Sequence, residues 1–418
     1  MKDFFPRDFG AAGDGRAKDT AAVQAAIDAA GAAAAPGASG PTARVVLEGG
    51  SFLCGALRLR SGVELHVESG ARLLASPDIA DFPDWPDAKH VVAANCPRSR
   101  NAAFIFADEC ENAAIAGGGT IDCNGGAHVR RKTDPDWTGW EYERVFPMEK
   151  SLPRVVFFAG CRNVSLEDVA LENGPAGWAY WLHDCDGVSC RRLRVACDVR
   201  YPNNDGIHVN CSRDVEIADC DIECGDDALV VRANSRSLRE NRPCERVRVR
   251  DCRVRAWAGG IRVGWHCDGA VRDCEFRRIE MRDCSYGIEM FLPPKPRNPD
   301  FGREASVVER ILFEDVAMDG VRSYPLEAYV DPGEETRVEA VRDVVFRRVR
   351  ATSRLLPRAW GREGTPLENF LFEDCDFRLL PPAAVADWRR HGTSSRTSDP
   401  REGFRWVSGF RFERTRIG

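Results

Sequence analysis

Two short stretches of this chain, Asn203-Asn204-Asp205-Gly206-Ile207-His208-Val209 and Gly225-Asp226-Asp227-Ala228-Leu229-Val230-Val231, carry one strand pattern with aspartates at its start. Two more stretches, Ala258-Gly259-Gly260-Ile261-Arg262-Val263 and Ser285-Tyr286-Gly287-Ile288-Glu289-Met290, align with them without gaps. Segments that share one register are expected to stack as successive rungs about 4.8 Å apart, because neighbouring strands hydrogen-bond at that spacing. Stacked in this way, the aspartates of the first two stretches would meet on one patch.

A looser pattern, apolar-x-apolar-x-polar-apolar, recurs along most of the chain. Its first residues are Val164, Val188, Val215, Val247, Ile279, Ile311, Val344, Phe370 and Phe410. The alternation has period two, as in strands with one buried face, and recurrence at intervals of a few tens of residues is typical of a solenoid. A β-sandwich also uses many short strands, but it would not place a similar pair of strands in each interval. The sequence therefore predicts an all-β fold, a parallel β-helix.

The open end of a β-helix needs a cover, because an unpaired rung exposes backbone groups and an apolar cross-section. After the turn Gly13-Asp14-Gly15, either Asp19 or Thr20 can act as the N-cap of a helix. Apolar residues then recur at helical spacing, namely Ala22, Val23, Ala26, Ile27 and Ala30. We predict a single domain, with an N-terminal cap and loop over residues 1–45, coils over 45–380, and an excursion with a last strand over 380–418.

Three segments are too long to be simple turns, roughly residues 77–100, 125–153 and 292–304. The second segment holds Trp137, Trp140 and Tyr142. Their rings could either pave a saccharide cleft or fix the loop to the surface of the coils.

The bulk composition narrows the choice of partners and compartment. A net charge of −6 leaves no basic excess for nucleic acid or an anionic membrane. No apolar run approaches 18 residues and the start shows no leader pattern, so a cytoplasmic protein is expected unless a leader has been removed. The 17 cysteines are scattered singly, which predicts reduced, buried thiols.

Asp205, Asp226 and Asp227 are the candidate catalytic residues. Adjacent strand residues point to opposite faces, so Asp226 and Asp227 can share one patch only if the chain bends, and Gly225 permits such a bend. Neighbouring carboxylates raise each other's proton affinity, which lets one of them remain protonated as a general acid. Clustered oxygens could instead hold calcium. The acid/base interpretation is preferred, with no metal and no cofactor.

Asn203-Asn204-Asp205-Gly206 followed by Gly225-Asp226-Asp227 resembles the Asn-x-Asp and Gly-Asp-Asp motifs of polygalacturonase-type glycoside hydrolases, family 28. The opening over residues 10–27 is similar to the cap segment of the pectinase-like superfamily. The resemblance covers about residues 5–375 and implies a right-handed β-helix and hydrolysis with inversion. It also implies that Asp226 is the general acid, and that Asp205 and Asp227 activate the attacking water.

The chain departs from the family pattern at two places. The family's Gly-His-Gly falls on Ala258-Gly259-Gly260, and its Arg-Ile-Lys falls on Glu289-Met290-Phe291, so the positive groups that receive a uronate carboxylate are missing. Arg262 either replaces part of the lost charge or pairs with Glu289. Because Glu289 would repel a uronate and Phe291 would favour the apolar face of a sugar, we predict a neutral or deoxy residue such as rhamnose as substrate.

Further residues are predicted to contact substrate around this patch. They are Asn203, His208, Arg232, Arg262, Trp265, His266, Glu289 and Phe291. Arg232 corresponds to a lysine of the family pattern, and His208, Val230, Arg262 and Glu289 are expected to share one outward-facing row. One coil earlier, Trp178, Tyr180 and Trp181 could form a subsite or only cover the coil.

The sequence thus favours an inverting glycoside hydrolase that acts on pectin-type oligosaccharides of the plant cell wall. Two alternatives stay open. A polysaccharide lyase on a similar β-helix would use calcium and a base such as Arg232 or Arg262, whereas a non-catalytic carbohydrate-binding β-helix would explain the missing family residues. The expected partner is an oligosaccharide or polysaccharide, with no nucleic acid and no membrane, and the pattern does not indicate an oligomeric state.

Overall fold

The computed structural model describes residues 1–85, 87–90, 102–134, 139–146, 152, 154–235, 237–238, 240–265, 268–292, 305–330, 337–381 and 403–418. Nearly all regular structure in these ranges is strand. They contain one α-helix, Thr20–Ala33, and three 3-10 helices, Pro6–Phe9, Ile79–Asp81 and Gly125–His128. Within the described ranges, no helix has the length and apolar character that a bilayer crossing requires.

The strands stack in three parallel ladders, to which successive coils of the chain contribute. The first ladder contains Lys2–Phe4, Ala43–Leu47, Val63–Val67, Ala114–Ala116, Arg162–Glu167, Asp186–Arg191, Arg213–Ala218, Val338–Arg347, Leu367–Glu373, Val407–Ser408 and Arg411–Glu413. The second contains Asp14–Lys18, Gly50–Cys54, Ala71–Ala75, Thr120–Asp122, Ala170–Glu172, Arg194–Ala196, Asp221–Cys224, Arg350–Ser353, Asp376–Leu379 and Arg416–Ile417. Three long strands belong to both, Cys244–Ala256, Ala270–Arg282 and Ser306–Val321.

The third ladder forms a separate sheet of 11 strands. Its members are Leu57–Arg58, Ala103–Asp108, Arg154–Ala159, Trp178–His183, Ile207–Asn210, Leu229–Arg232, Gly259–Val263, Tyr286–Leu292, Leu326–Val330, Arg358–Trp360 and Phe404–Arg405. Pairing within the ladders is parallel throughout. The chain is therefore a right-handed parallel β-helix, as predicted, and the antiparallel sandwich is excluded.

The first two ladders meet at a corner formed by one residue, the polar position of the repeating pattern. Its φ is left-handed, between 46° and 58°, at Asp168, Arg192, Asp219, Asp251, Arg278, Asp315, Arg348, Asp374 and Arg414. Aspartate tolerates this conformation better than arginine does. The arginines gain support from aspartates on the adjoining coil, as in the Arg192–Asp168 and Arg348–Asp315 pairs, each at 2.6 Å.

One repeat lies in a different place from its predicted position. The sequence pattern placed it at Ile279, but the strand that continues the first ladder begins its repeat at Cys274, which pairs with Ile311. Ile279 lies farther along the same strand, in the second ladder, where it pairs with Cys252 and Val316. The assignment was wrong because cysteine fills an apolar core position here, as a small hydrophobic side chain can.

All cysteines in the described ranges are buried and unpaired, as predicted. Several thiols donate to carbonyls at the turns of the coil. Cys161 Sγ donates to the Ala107 and Ala159 carbonyls at 3.5 and 3.4 Å, and Cys185 Sγ donates to the Phe158 carbonyl at 3.5 Å. Burial raises the pKa of the Cys161 thiol well above its usual value and that of Cys197 to about 12, so both stay protonated. Their role in these ranges is to fill the core and satisfy backbone acceptors.

The helix Thr20–Ala33 covers the N-terminal end of the β-helix, as expected. Val23, Ala26, Ile27 and Ala30 are buried in the main core. The Asp19 side chain does not cap this helix; its carboxylate instead accepts from the backbone N–H groups of residues 12 and 13, at 2.7 and 3.0 Å.

Two loop predictions also need correction. The segment 125–153 contains an antiparallel hairpin, Val129–Arg131 with Tyr142–Arg144, that the pattern did not reveal. The C-terminal segment 380–405 lies mostly outside the described residues, but its end, Phe404–Arg405, forms a strand of the third ladder.

A stack of phenylalanine rings runs through the C-terminal half of the core. Neighbouring ring centroids are 4.8–5.2 Å apart along the series Phe276, Phe313, Phe346, Phe372 and Phe412. Phe313 is fully buried, whereas Phe412, at the end of the stack, is 45% exposed. The register of the first ladder creates this stack.

We expect Phe313→Ala to lower the free energy of unfolding by about 3–5 kcal/mol, because the cavity would be enclosed by coils on both sides. Phe412→Ala is the matched control and should cost roughly 1 kcal/mol or less, since much of that ring is already in water. Urea unfolding followed by circular dichroism measures both. Equal losses in the two variants would contradict the stacked core.

Candidate active site

The three candidate aspartates lie where two neighbouring strands of the third ladder begin. Ile207 pairs with Leu229 and Leu229 pairs with Ile261, so that, two residues earlier, Asp205, Asp227 and Gly259 occupy one column. One side-chain oxygen of each of Asp205, Asp226 and Asp227 lies within 4.8 Å of the others. The structure thus brings together the three carboxylates that the sequence predicted to meet.

The bend at Gly225 lets consecutive aspartates reach the same patch. The Gly225 N–H donates to Asn204 Oδ1, and Asn204 Nδ2 donates to the Asp198 carbonyl at 2.9 Å. A Cβ on Gly225 would lie 2.3 Å from the Tyr201 carbonyl oxygen, so only glycine fits this approach. Asn204, which is fully buried, therefore acts as the brace of the bend.

Asp226 is the most exposed of the three aspartates. Its Oδ2 accepts a hydrogen bond of 2.9 Å from Asn203 Nδ2. Asn203 itself has a left-handed φ of 53°, a conformation that asparagine adopts more readily than most residues. A partly exposed carboxyl with one fixed donor is well placed to meet a substrate oxygen.

Asp227 is buried and is held by a guanidinium. Its Oδ1 accepts from the Gly259 N–H at 2.9 Å and from Arg262 Nη2 at 3.1 Å, and its Oδ2 accepts from Arg262 Nε. Arg262 also contacts Glu289 Oε2 at 2.7 Å. One guanidinium therefore bridges two buried carboxylates that come from different coils.

Gly259 makes this bridge possible. A Cβ on Gly259 would lie 2.8 Å from Asp227 Oδ1 and 3.3 Å from Glu289 Oε2, inside the space where the two carboxylates approach Arg262. The position of the family's histidine therefore carries no side chain, and the side chain of Arg262, three residues later in the chain, uses this space. In this way the two departures from the family pattern are structurally coupled.

Burial dominates the proton affinity of Glu289. It raises the pKa of the Glu289 carboxyl to about 7, against the opposing effect of the Arg262 charge. The same two carboxylates hold the pKa of Arg262 above its usual range despite the burial of the guanidinium. Arg262 consequently stays charged.

Asp205 lies beside a histidine and a tryptophan. His208 Nδ1 is 3.6 Å from Asp205 Oδ2, and the ring of Trp178 lies 4.5 Å from the His208 ring. Burial, with a smaller contribution from the Arg232 charge, holds the pKa of His208 well below its usual value. His208 is therefore neutral at ordinary pH and adds no positive charge beside Asp205.

Arg232 is paired within the protein. Its Nη2 donates to Asp268 Oδ1 at 2.7 Å, and Asp268 also accepts from the Trp265 N–H at 3.0 Å. The Trp265 ring lies over the Arg262 guanidinium at 4.2 Å and contacts Phe291 edge-on at 5.3 Å. His266 lies outside the described residues.

The outward-facing row follows the predicted register. His208 pairs with Val230, Val230 with Arg262, and Arg262 with Glu289. On the preceding coil, Trp181 faces outward in the same row, whereas Tyr180 is fully buried in the interior. Tyr180 therefore covers no part of the cleft.

The hairpin Val129–Arg131 with Tyr142–Arg144 is fastened to the coil that carries the aspartates. Trp140 Nε1 donates to the Gly225 carbonyl at 2.6 Å, and the Tyr142 ring lies 4.9 Å from the Tyr201 ring. These two aromatic residues pin the loop rather than pave the cleft. Trp137 lies outside the described residues.

The aspartate cluster is also the only group in the described ranges whose acidic, histidine or cysteine ligand atoms lie close enough to share a metal ion. The counter-charge for Asp227 is already provided by Arg262.

The sequence analysis did not identify the roles of three residues of the site. They are Arg144, Asp268 and Gly259, whose missing side chain leaves room for the Arg262 bridge. Arg144 Nη2 donates to Asn203 Oδ1 at 2.8 Å, across 59 residues of chain. A cation at the end of an irregular segment gives no pattern that could indicate this contact. Asp268 lies between the strands Gly259–Val263 and Ala270–Arg282, and an acidic residue soon after a strand of the site was the available signal.

Glu289→Gln should change how stability depends on pH. The folded protein keeps the Glu289 proton up to about pH 7, whereas the unfolded chain releases it near pH 4.5, so the unfolding free energy falls as the pH rises between these values. We expect the variant to gain about 2 kcal/mol relative to wild type between pH 5 and pH 8. Urea titrations at several pH values measure this. Glu280→Gln, on an exposed strand face, is the control, and parallel pH profiles of wild type and Glu289→Gln would refute the assignment.

Comparison with known proteins agrees with the fold and the motifs. The sequence profile described as Glycosyl hydrolases family 28 matches residues 89–244, which include all three aspartates. An endo-polygalacturonase of Pectobacterium carotovorum subsp. carotovorum is 31% identical over 182 residues, which are 44% of this chain and 44% of that protein. The match thus spans less than half the length of this curated relative.

Solved structures show the same fold at low identity. The exopolygalacturonase of Thermotoga maritima superposes with a TM-score of 0.69 and 22% identity, over 90% of this chain and 87% of that one. The polygalacturonase of Erwinia carotovora ssp. carotovora gives a TM-score of 0.62 and 20% identity, over 88% and 93% of the two chains. With the paired motifs in place on this β-helix, the chain is similar to glycosyl hydrolase family 28 over residues 89–244 and shares the fold of the two polygalacturonases.

Proposed function

We propose that this protein hydrolyses glycosidic bonds in pectin-type polysaccharides or oligosaccharides. The observation that carries the proposal is the convergence of Asp205, Asp226 and Asp227 from two coils, with one oxygen of each within 4.8 Å of the others. Glycoside hydrolysis needs a carboxylic acid to protonate the leaving oxygen and a carboxylate to activate water. The cluster can supply both.

The surroundings of the three carboxyls assign the roles. Asp226 is the proposed general acid, because it is the most exposed of the three and two neighbouring carboxylates favour its protonated form. Asp227 is the proposed base, since its carboxylate accepts hydrogen bonds from the Gly259 N–H and from Arg262. Asp205 is the third member of the cluster, and its proposed role is to activate the attacking water together with Asp227.

The proposed substrate unit is a neutral or deoxy sugar, such as rhamnose, rather than galacturonate. The two arginines predicted to contact substrate are already paired, Arg262 with Asp227 and Glu289, and Arg232 with Asp268. Phe291, packed against Trp265, supplies apolar surface where the family pattern has a lysine. A uronate carboxylate would meet the buried Glu289 carboxyl, and the neighbouring cation, Arg262, is already engaged by Asp227 and Glu289.

The pairing of these arginines also argues against lyase chemistry. A lyase needs a base to remove a proton from the sugar ring, and Arg232 and Arg262 were the candidates for that base. The carboxylates around Arg262 hold its pKa above the usual range for arginine, so it does not release a proton at any working pH. Arg232 is likewise held by a carboxylate, that of Asp268.

The first test is a substrate panel with Asp226→Asn as the matched inactive variant. We expect wild type to release reducing ends from rhamnogalacturonan or other pectic oligosaccharides, and Asp226→Asn to lose about 10²–10⁴-fold in kcat, the usual contribution of general acid catalysis. Binding of oligosaccharide without turnover, unchanged in Asp226→Asn, would favour the non-catalytic alternative. An unsaturated product that absorbs ultraviolet light would favour the lyase.

The same reaction also reports the stereochemistry. Inversion is expected from the family resemblance, and ¹H NMR of the fresh product should show the inverted anomer before mutarotation. The oxygens here approach more closely than the roughly 6.5–9.5 Å typical between the two carboxyls of inverting enzymes. First appearance of the retained anomer would replace the inverting mechanism with a retaining one.

Phe291→Lys should shift the substrate preference. The half-buried Phe291 side chain lies one residue beyond Met290 and two beyond Glu289, so a lysine there restores a cation at the family position. We expect the ratio of kcat/KM on polygalacturonan to kcat/KM on neutral-sugar substrates to rise about tenfold, the equivalent of roughly 1.4 kcal/mol. Phe291→Leu is the control for loss of the ring. An unchanged ratio in Phe291→Lys would contradict the proposed subsite.

A further inference from the structure

We propose that Arg144 is a positioning residue that acts through Asn203 to decide which oxygen of Asp226 carries the acid proton. The inference rests on the proposed function of Asp226 as general acid. It adds to that function an element outside the coils, the hairpin Val129–Arg131 with Tyr142–Arg144.

The hairpin holds the Arg144 head group in a defined place. Arg144 pairs with Val129 across the hairpin, and its Nε donates to the Ala176 carbonyl at 3.0 Å. The hairpin is tied to the coil at a second point, where Trp140 Nε1 donates to the Gly225 carbonyl, directly before Asp226. Arg144 is therefore anchored to the coil on both sides of its contact with Asn203.

The contact with Arg144 fixes the orientation of the Asn203 amide. Arginine has only donors, so the Asn203 atom that lies 2.8 Å from Arg144 Nη2 must be the carbonyl oxygen, Oδ1. The amide nitrogen, Nδ2, is then the atom that faces Asp226, at 2.9 Å from Oδ2. Without Arg144 the amide could rotate and present its oxygen to Asp226 instead.

The orientation of the amide in turn decides the position of the proton. An amide N–H₂ group only donates, so Oδ2 of Asp226 must accept, and it cannot carry a proton that points along this hydrogen bond. When Asp226 is protonated, the proton is therefore placed on Oδ1. The hydrogen bonds from Arg144 to Asn203 and from Asn203 to Asp226 thus keep Asp226 Oδ2 as an acceptor. They leave Oδ1 to protonate the leaving group.

The same series of hydrogen bonds also affects the pKa of Asp226 as the general acid. An N–H donor stabilises the ionised carboxylate, whereas an amide oxygen would stabilise the protonated form. Loss of Arg144 should therefore raise the pKa of the general acid, both by freeing the amide and by removing a nearby positive charge. Among the described residues, the other charged or titratable groups that act on Asp226 include Asp205, Asp227, Arg262, Glu289 and Cys224. A substitution at Arg144 leaves all of these side chains in the protein.

The test compares Arg144→Met and Arg144→Lys with wild type on the pectic oligosaccharide that wild type cleaves fastest. For Arg144→Met we expect kcat at the pH optimum to fall about tenfold and KM to change less than twofold. The limb of the kcat–pH profile at high pH, where the acid loses its proton, should move upward by about half a pH unit or more. Arg144→Lys keeps a donor and should recover part of kcat and restore the position of the limb.

Two variants of the same hairpin separate positioning from structure. Arg131→Met removes a highly exposed arginine that pairs with Glu141 and should leave both kcat and the pH profile unchanged. Trp140→Phe removes the hydrogen bond to the Gly225 carbonyl but leaves the contact between Arg144 and the Asn203 amide in place. It should lower the thermal stability of the protein, and it should shift the high-pH limb less than Arg144→Met does. A kcat loss in Arg144→Met with no shift of the limb would show a merely structural role and overturn the inference. A wild type inactive on the whole panel would overturn the proposed function, and this inference with it.

Discussion

The in-register stacking of parallel coils is the constraint on which the structure depends. Backbone hydrogen bonds between coils determine which side chain lies above which, and a slip of one residue would send every outward side chain to the core. Asp205 and Asp227 share a column only because Ile207, Leu229 and Ile261 are paired in one register. The site is therefore a product of the ladder itself rather than of a separately folded loop.

Stacking in register has an electrostatic cost, because equivalent positions of neighbouring coils lie within about 5 Å of each other and can carry like charges. At several corner positions the chain offsets this cost by pairing residues of opposite charge on neighbouring coils. Arg192 pairs with Asp168 at the corner of the first two ladders, and Arg348 pairs with Asp315 in the same way. Inside the site, Arg262 likewise lies between two carboxylates, Asp227 and Glu289, although Asp227 belongs to a different column from the other two. The departure from the family pattern is thus consistent with the electrostatics of the whole fold.

Three carboxylates of one chemical type acquire different properties from their surroundings. Asp227 is buried against a guanidinium and a backbone N–H, Asp226 is partly exposed beside an amide donor, and Asp205 adjoins a neutral histidine. Such divergence is what lets identical side chains act as acid and as base. The hairpin also controls the orientation of the Asn203 amide, since Arg144 selects the end of Asn203 that faces Asp226.

The sequence alone determined the period-two repeats, the covering helix and the meeting of the three aspartates, because these features arise from local patterns repeated at coil spacing. It misplaced one repeat at Ile279, since a cysteine occupies the apolar position at Cys274. Only the tertiary structure decided that Arg262 bridges Asp227 and Glu289, that Asp268 holds Arg232, and that Arg144 reaches Asn203. These contacts join residues 27 to 59 positions apart and depend on side-chain direction and on the space left by Gly259, which no periodicity encodes.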